Sequence, residues 1–136
     1  MNLLIAGLLA CGCVSLMDAP LWPPASDYID AALDCSQSGH AASCEQTRKV
    51  WTTDFNAAIA GENRAQKRVA YCLSTGCDGA IRTDPILGCA WGKVADGTVG
   101  ATSSLKRYCT RPYLDAAGAR AADAETETLR QMLSVR

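Results

Sequence analysis

Eight cysteines and a single histidine, His40, carry most of the side-chain chemistry this 136-residue sequence can offer. The cysteines stand at positions 11, 13, 35, 44, 72, 77, 89 and 109. Zinc sites are built from Cys-x2-Cys pairs and histidines, and covalent haem needs C-x-x-C-H. The sequence has neither pattern, so no metal, no haem or zinc and no cofactor is expected. A thiol-redox role would fall to Cys11 and Cys13, and without a C-x-x-C pair it is a minor reading. In an oxidising compartment this cysteine density reads as a disulfide scaffold; in the cytosol it would read as metal-binding thiols. With Cys11 and Cys13 set aside in an apolar N-terminus, Cys35, Cys44, Cys72, Cys77, Cys89 and Cys109 remain, enough for three bridges. Cys35 and Cys44 bracket a short loop and form a natural pair. Cys77 with Cys89 and Cys72 with Cys109 complete one set, and exchanging those last two pairs gives another.

Among the carboxylates, Asp78 and Asp84 flank a glycine-containing turn and are the candidate acids of an enzyme. Each has a simpler use, Asp78 in turn geometry and Asp84 as a helix cap. No base and nucleophile stand together, so no catalytic residue is assigned. His40 follows Gly39 and reads as a surface loop residue. The charge balance, 13 basic against 14 acidic residues for a net −1, lacks the basic excess of a nucleic-acid binder, and no nucleic acid is expected. The length fits one domain.

The elements that must position these residues begin after residue 17. Residues 3–11 read LLIAGLLAC, and no charge occurs from Leu3 to Met17. That run falls short of the roughly 20 residues of a membrane helix and has the length of a secretory h-region. Met1-Asn2 supplies no lysine or arginine. Residues 1–17 are therefore read as a signal. Leu8-Leu9-Ala10-Cys11 resembles a bacterial lipoprotein signal. The resemblance implies lipidation of Cys11, a periplasmic location and an anchor in the outer membrane. An ordinary cleaved signal or an apolar N-terminal helix are the alternatives. Residues 18–27, DAPLWPPASD, hold three prolines and read as an extended tether. Trp22 inside it folds back on the domain as an aromatic latch or sits near a membrane surface.

From residue 28 to 136 the pattern is helical. Tyr28, Ala31, Ala32 and Cys35 suggest a short helix within residues 27–36. Ser43 with Gln46 makes a capping-box start for a helix ending near Ile59, with Trp51, Phe55 and Ile59 as its apolar stripe and Val50 and Ala58 beside it. Asn63 caps the next helix, whose inward face is Ala65, Val69, Cys72 and Leu73, with Gly76 as its end. Asp84-Pro85 starts a third helix burying Leu87, Ala90, Trp91 and Val94, closed by Gly97 and Gly100. Residues 103–109 suggest a short helix. A long helix over 112–133 would face inward through Leu114, Ala117, Ala121, Ala124, Leu129, Met132 and Leu133. No strand-length alternation appears, so the fold class is all-α, a short helical-hairpin array stapled by disulfides.

The unit from Asn63 to Gly97 resembles a Sel-like repeat, a relative of the tetratricopeptide repeat. Ala65-Gln66, Val69-Ala70, Leu73 and Gly76 match its first helix. Gly79, Ile81 and Asp84 match its turn, and Ala90-Trp91 and Ala95 its second helix. The turn is one residue longer than the family's, Gly88 replaces a better helix former, and three cysteines are added. The unit covers about a quarter of the chain. Such repeats stack in about threes, so disulfides would compensate for a small core. The resemblance implies protein–protein contacts and assembly. The expected function is a non-enzymatic interaction or scaffold protein of the bacterial cell envelope, with another envelope protein or complex as partner. Its surface would be the groove between the hairpin and its neighbours, with Arg64, Lys67, Arg68 and Arg82 meeting an acidic partner. The alternatives are a solvated helix face, or an enzyme or accessory subunit of an envelope enzyme complex.

Overall fold

The computed structural model describes residues 21–98 and 104–135. The signal at residues 1–17, Cys11 and Cys13 with it, and Gly100 lie outside the described residues. Four α-helices carry the architecture: α1 (Ala41–Ile59), α2 (Asn63–Thr75), α3 (Pro85–Thr98) and α4 (Ala116–Ser134). Three 3-10 turns accompany them, Ala25–Tyr28, Cys35–Gln37 and Ser104–Cys109. The array is all-α, with α1 on α2, α2 on α3 and α3 on α4, and three disulfides staple it.

The core follows from the apolar periodicity. Trp51 and Phe55 of α1 are buried, as are Ala65, Val69, Ala70, Cys72 and Leu73 of α2 and Leu87, Ala90, Trp91 and Val94 of α3. The rings run in sequence, with centroids 5.9 Å apart for Trp51 and Phe55 and 6.5 Å for Phe55 and Trp91. Such offset and edge contacts suit the aromatic quadrupole. Between α2 and α3 the backbones come very close. A Cβ on Gly88 would lie 2.3 Å from Ser74 Oγ and 3.2 Å from the Ala70 carbonyl oxygen. The small residues at 70 and 88 permit that approach.

The turn between α2 and α3 is tight. Gly76 (φ 82°) closes α2 by donating its N–H to the Cys72 carbonyl at 2.8 Å. Cys77 and Asp78 are also left-handed, at φ 44° and 61°. Asp84 then caps α3, accepting the Leu87 N–H at 3.0 Å, and Pro85 is the first helical residue.

Several expected boundaries move. No helix spans 27–36. Asp30 and Asp34 accept the N–H groups of Ala32 and Ser36, local bonds that compete with a helix. The Arg48 guanidinium binds the Asp30 and Leu33 carbonyls. Asp30 N–H reaches Ala80 O at 3.2 Å and Arg82 N–H reaches Tyr28 O at 2.8 Å, an extended pairing centred on the Ile29–Ile81 bridge. Helix α1 starts at Ala41, before Ser43, with His40 at the cap position; His40 is exposed. Helix α2 has Glu62 at its cap, which frees Asn63 Nδ2 to donate to Ala95 O on α3 at 2.7 Å. Helix α3 continues through Gly97 to Thr98. Helix α4 starts at Ala116, because Asp115 caps it by accepting the Gly118 N–H at 2.7 Å. It buries Ala122, Thr126, Leu129 and Leu133, whereas Ala117, Ala121 and Ala124 are exposed. The buried stripe enters at Ala122, one position on from the expected Ala121, and meets the expected one at Leu129 and Leu133.

Of the stretch read as a tether, the part from Trp22 packs on the domain. Trp22 stacks on Trp91 at 5.9 Å, Ala25 is buried, and Trp51 Nε1 donates to Ala25 O at 2.8 Å. Arg82 of the α2–α3 turn binds the Asp27 and Tyr28 carbonyls of the same arm.

Candidate interaction surface

The six cysteines form three bridges, and one pairing follows the sequence reading. Cys35 joins Cys44, tying the arm to the first turn of α1. The other two expected pairings, Cys77–Cys89 and Cys72–Cys109, do not form; the same four cysteines pair with their partners exchanged. Cys72 joins Cys77, and Cys89 joins Cys109. The left-handed residues after Gly76 fold Cys77 back over the last turn of α2, with Cα atoms 4.8 Å apart. Cys89 sits on the opposite face of α3, beside Leu114 and Ala122, where it meets the Ser104–Cys109 turn. Helix phase separates Cys77 from Cys89.

The four expected partner-binding cations do not form one patch. Arg64 and Lys67 are exposed on α2, and among the described residues neither has an ion-pair partner. Arg68 is turned toward α1, where it pairs with Asp54 at 2.8 Å, and Glu62 lies at 4.0 Å. That bond raises its pKa. Arg82 donates to the Asp27 carbonyl and holds the arm. It lies past the far end of the 13-residue α2, about 20 Å from the Arg64 end.

Arg64 and Lys67 instead continue into a group of tyrosines. Positions 64, 67 and 71 share one helix face. Tyr71 is 47% exposed, unusual for so large a ring, and its inner edge rests on Tyr108 at 6.3 Å. Tyr108 is fully buried and meets Tyr113 edge-on at 5.2 Å. Arg107 lies over the Tyr108 ring, 5.0 Å from its centroid, and donates to the Tyr108 hydroxyl at 2.9 Å. That hydrogen bond raises the Arg107 pKa, and the phenolic oxygens of Tyr108, Tyr113 and Tyr71 add to it. The Cys89–Cys109 bridge sits next to Tyr108 in the chain and fixes this segment to α3. Arg111, exposed, precedes Pro112 through a cis peptide. The result is a tyrosine–arginine surface on a rigid base, extended along α2 by Lys67 and Arg64. The sequence reading missed Tyr71, Arg107 and Tyr113. The spacing of Tyr71 from Lys67 and Arg64 was available, but the fold of the 104–113 segment onto α2 was not.

A second concavity lies between α3, the Ser104–Cys109 turn and α4. It encloses about 610 Å³ and is lined by Lys93, Lys106 and Arg130 together with Asp96 and Asp123. Lys93 is paired with Asp123, so the mixed charges partly cancel. The candidate acids separate. Asp84 is engaged as the α3 cap, and Asp78 is exposed in the turn, where its carbonyl accepts the Ser38 hydroxyl at 2.7 Å. No grouping of three or more His, Cys, Asp or Glu able to hold a metal occurs among the described residues. No described helix is long and apolar enough to cross a membrane. No family model, no curated protein and no solved structure matches this chain.

Proposed function

We propose that this is a non-enzymatic protein–protein interaction module of a bacterial cell envelope, a Sel-like or tetratricopeptide-like hairpin array working as a scaffold. The observation that carries the reading is the surface of Tyr71, Tyr113, Arg107, Lys67 and Arg64. Tyrosine and arginine dominate interface hot spots because they offer a large contact area with few rotors to freeze. Here the rotors are already restrained, Arg107 by Tyr108 and Tyr71 by its edge contact. An acidic segment of an envelope protein is the partner such a surface suits. The periplasmic setting is supported by the three bridges, since disulfides persist in oxidising compartments. A lipid on Cys11 would place the module at the outer membrane.

The test is capture of partners from solubilised envelopes by wild type, by a Tyr71→Ala/Lys67→Glu double variant, and by Arg120→Glu on the exposed side of α4. A partner that wild type and Arg120→Glu retain, the double variant loses, and raised salt releases supports the reading. Equal capture by all three defeats it. Intact mass of the envelope-extracted protein decides separately whether Cys11 carries lipid.

A further inference from the structure

Among the described residues the large apolar side chains left exposed are Leu21, Tyr71, Ile86 and Val135. Tyr71 belongs to the tyrosine–arginine surface, with the exposed cations Arg64, Lys67, Arg107 and Arg111, and none of these four has an ion-pair partner among the described residues. Leu21 and Ile86 stand elsewhere, where the N-terminal arm meets α3 and α4. Leu21 is 94% exposed and lines a cleft of about 220 Å³ with Trp22, Met132 and Glu125. Ile86 is 36% exposed and lines one of about 360 Å³ with Asp84 and Glu125. No lysine, arginine or histidine lines either cleft among the described residues.

The arm face is therefore apolar and acidic. Asp27 and Asp84 are exposed and Glu125 is half-buried. All three act on the Tyr28 hydroxyl between them: burial chiefly, then Asp84, Asp27 and Glu125, raise its pKa, and Arg82 opposes them. The arm face and the tyrosine–arginine surface lie on opposite sides of α3. Leu87 and Trp91 line the arm cleft. Cys89, bridged to the segment that carries Arg107 and Tyr108, is two residues from each, or about 200° around the helix. One copy cannot bring its own two faces together.

The two faces are complementary twice over. Each presents exposed apolar side chains, and the charges around them are opposite in sign. Opposed potentials steer encounter and fix register, while the apolar centre supplies the desolvated contact. From this complementarity we infer that the tyrosine–arginine surface of one copy docks on the arm face of a second copy, around Leu21, Ile86, Asp84 and Glu125. The inference rests on the reading of the tyrosine–arginine surface as a recognition surface, and it names the partner. A contact between two different faces is heterologous. Each copy in a pair leaves one face free, so association runs on past the dimer, head to tail, unless a ring closes.

The test is sedimentation velocity of the folded, oxidised protein, with free thiols alkylated, at low salt and up to about 1 mM, where weak contacts still populate. Wild type should grow in mass with concentration, and salt should reverse the growth. One double variant, Tyr71→Ser/Lys67→Ser, disables the first face; another, Leu21→Ser/Glu125→Gln, disables the second. Each alone should associate about tenfold more weakly than wild type, with unchanged circular dichroism. Leu21→Ser by itself, at a side chain almost wholly in solvent, serves if the second double variant does not fold. Mixed one to one, the two double variants should form a dimer and stop there, because each retains the face the other lacks. The inference is overturned if wild type stays monomeric throughout, if only one double variant weakens the association, or if the mixture stays monomeric. Capture of an envelope protein through Tyr71 and Lys67 by a wild type that stays monomeric overturns it too, and leaves the interaction reading standing.

Discussion

Replacing Gly88 by alanine sets two large effects of opposite sign against each other. In an exposed helix interior, glycine to alanine stabilises by about 1 kcal/mol, because glycine loses the most backbone entropy. At Gly88 the new methyl would lie 2.3 Å from Ser74 Oγ, 3.0 Å from Ser74 N and 3.2 Å from Ala70 O. The first distance is about 1 Å inside ordinary contact, and the other two involve backbone, so α2 and α3 must separate or tilt. Over-packing of a well-filled contact costs about 1–3 kcal/mol. The α2–α3 seam holds much of the core, and the cost should fall at the upper end. The net expectation is a loss of about 1–2 kcal/mol, or roughly 4–8 °C in Tm for a domain of this size. Ser74 is 5% exposed and its hydroxyl has no hydrogen-bond partner among the described residues, so Ser74→Ala alone should be neutral or stabilising by up to about 1 kcal/mol. Combined with Gly88→Ala it removes the closest clash, and the pair should couple favourably by about 1 kcal/mol. Urea unfolding of the four proteins measures every term. If Gly88→Ala raises the stability by the full helix-propensity gain, or the double variant shows no coupling, the close approach of α2 and α3 is not there.

Non-reducing tryptic mapping should find Cys72 and Cys77 bridged inside the single peptide 69–82, and peptide 83–93 joined to the peptide carrying Cys109; a 69–82 to 83–93 link would overturn the pairing. Replacing Cys89 and Cys109 by alanine should cost about 3 kcal/mol, against about 2 for Cys72 and Cys77, because loop-closure entropy grows with separations of 20 and 5 residues; denaturant titration in both backgrounds checks the order. Asp115→Ala removes the α4 cap and should cost about 1 kcal/mol by thermal unfolding, while Asp115→Asn should cost only a few tenths. Tyr28 has a raised pKa, so the native state favours its neutral phenol. The associated stability is fully present below the ordinary tyrosine pKa near 10 and is lost as pH rises through the higher folded value. Tyr28→Phe should flatten that alkaline loss of stability, followed by unfolding midpoints between neutral and alkaline pH.

Where a residue's role depends on its neighbours in the chain, the sequence disclosed it. The inward stripes of α1, α2 and α3 follow directly from helical spacing, and the buried set contains Trp51, Phe55, Val69, Leu73, Ala90 and Trp91. Gly76 and Asp84-Pro85 act as a helix stop and start for local steric reasons. The misreadings arise where a distant group intervenes. The 27–36 segment has helical spacing, yet Arg48, more than ten residues away, binds its carbonyls, and the turn at Ala80 and Arg82 pairs with its backbone. Cys77 and Cys89 fall in separate core clusters, Cys89 beside Leu114 and Ala122, so the expected staple from the turn to α3 does not form and each cysteine pairs elsewhere. Likewise the basic residues of α2 looked equivalent, but Asp54 on α1 claims Arg68 and leaves Arg64 and Lys67 to the open side.

The arm resolves a difficulty posed by one hairpin. A helical hairpin packed only on itself leaves apolar surface uncovered on both outer sides. In this chain α1 and the Trp22–Tyr28 arm close one side. Trp22 lies on Trp91, Tyr28 on Phe55, and Ile29 pairs with Ile81 of the turn. Helix α4 and the 104–109 turn close the other, tied by Cys89–Cys109. Both covers are cross-linked, the arm to α1 through Cys35–Cys44 and the 104–109 turn to α3 through Cys89–Cys109. These two bridges therefore hold the irregular covering segments, the arm and the 104–109 turn, to the helices beside them. Concavities remain where the arm and the 104–109 turn meet the helices. The tyrosine–arginine surface lies beside the 104–109 turn, at such a junction, and the turn's bridge to α3 holds Arg107 and Tyr108 in place there.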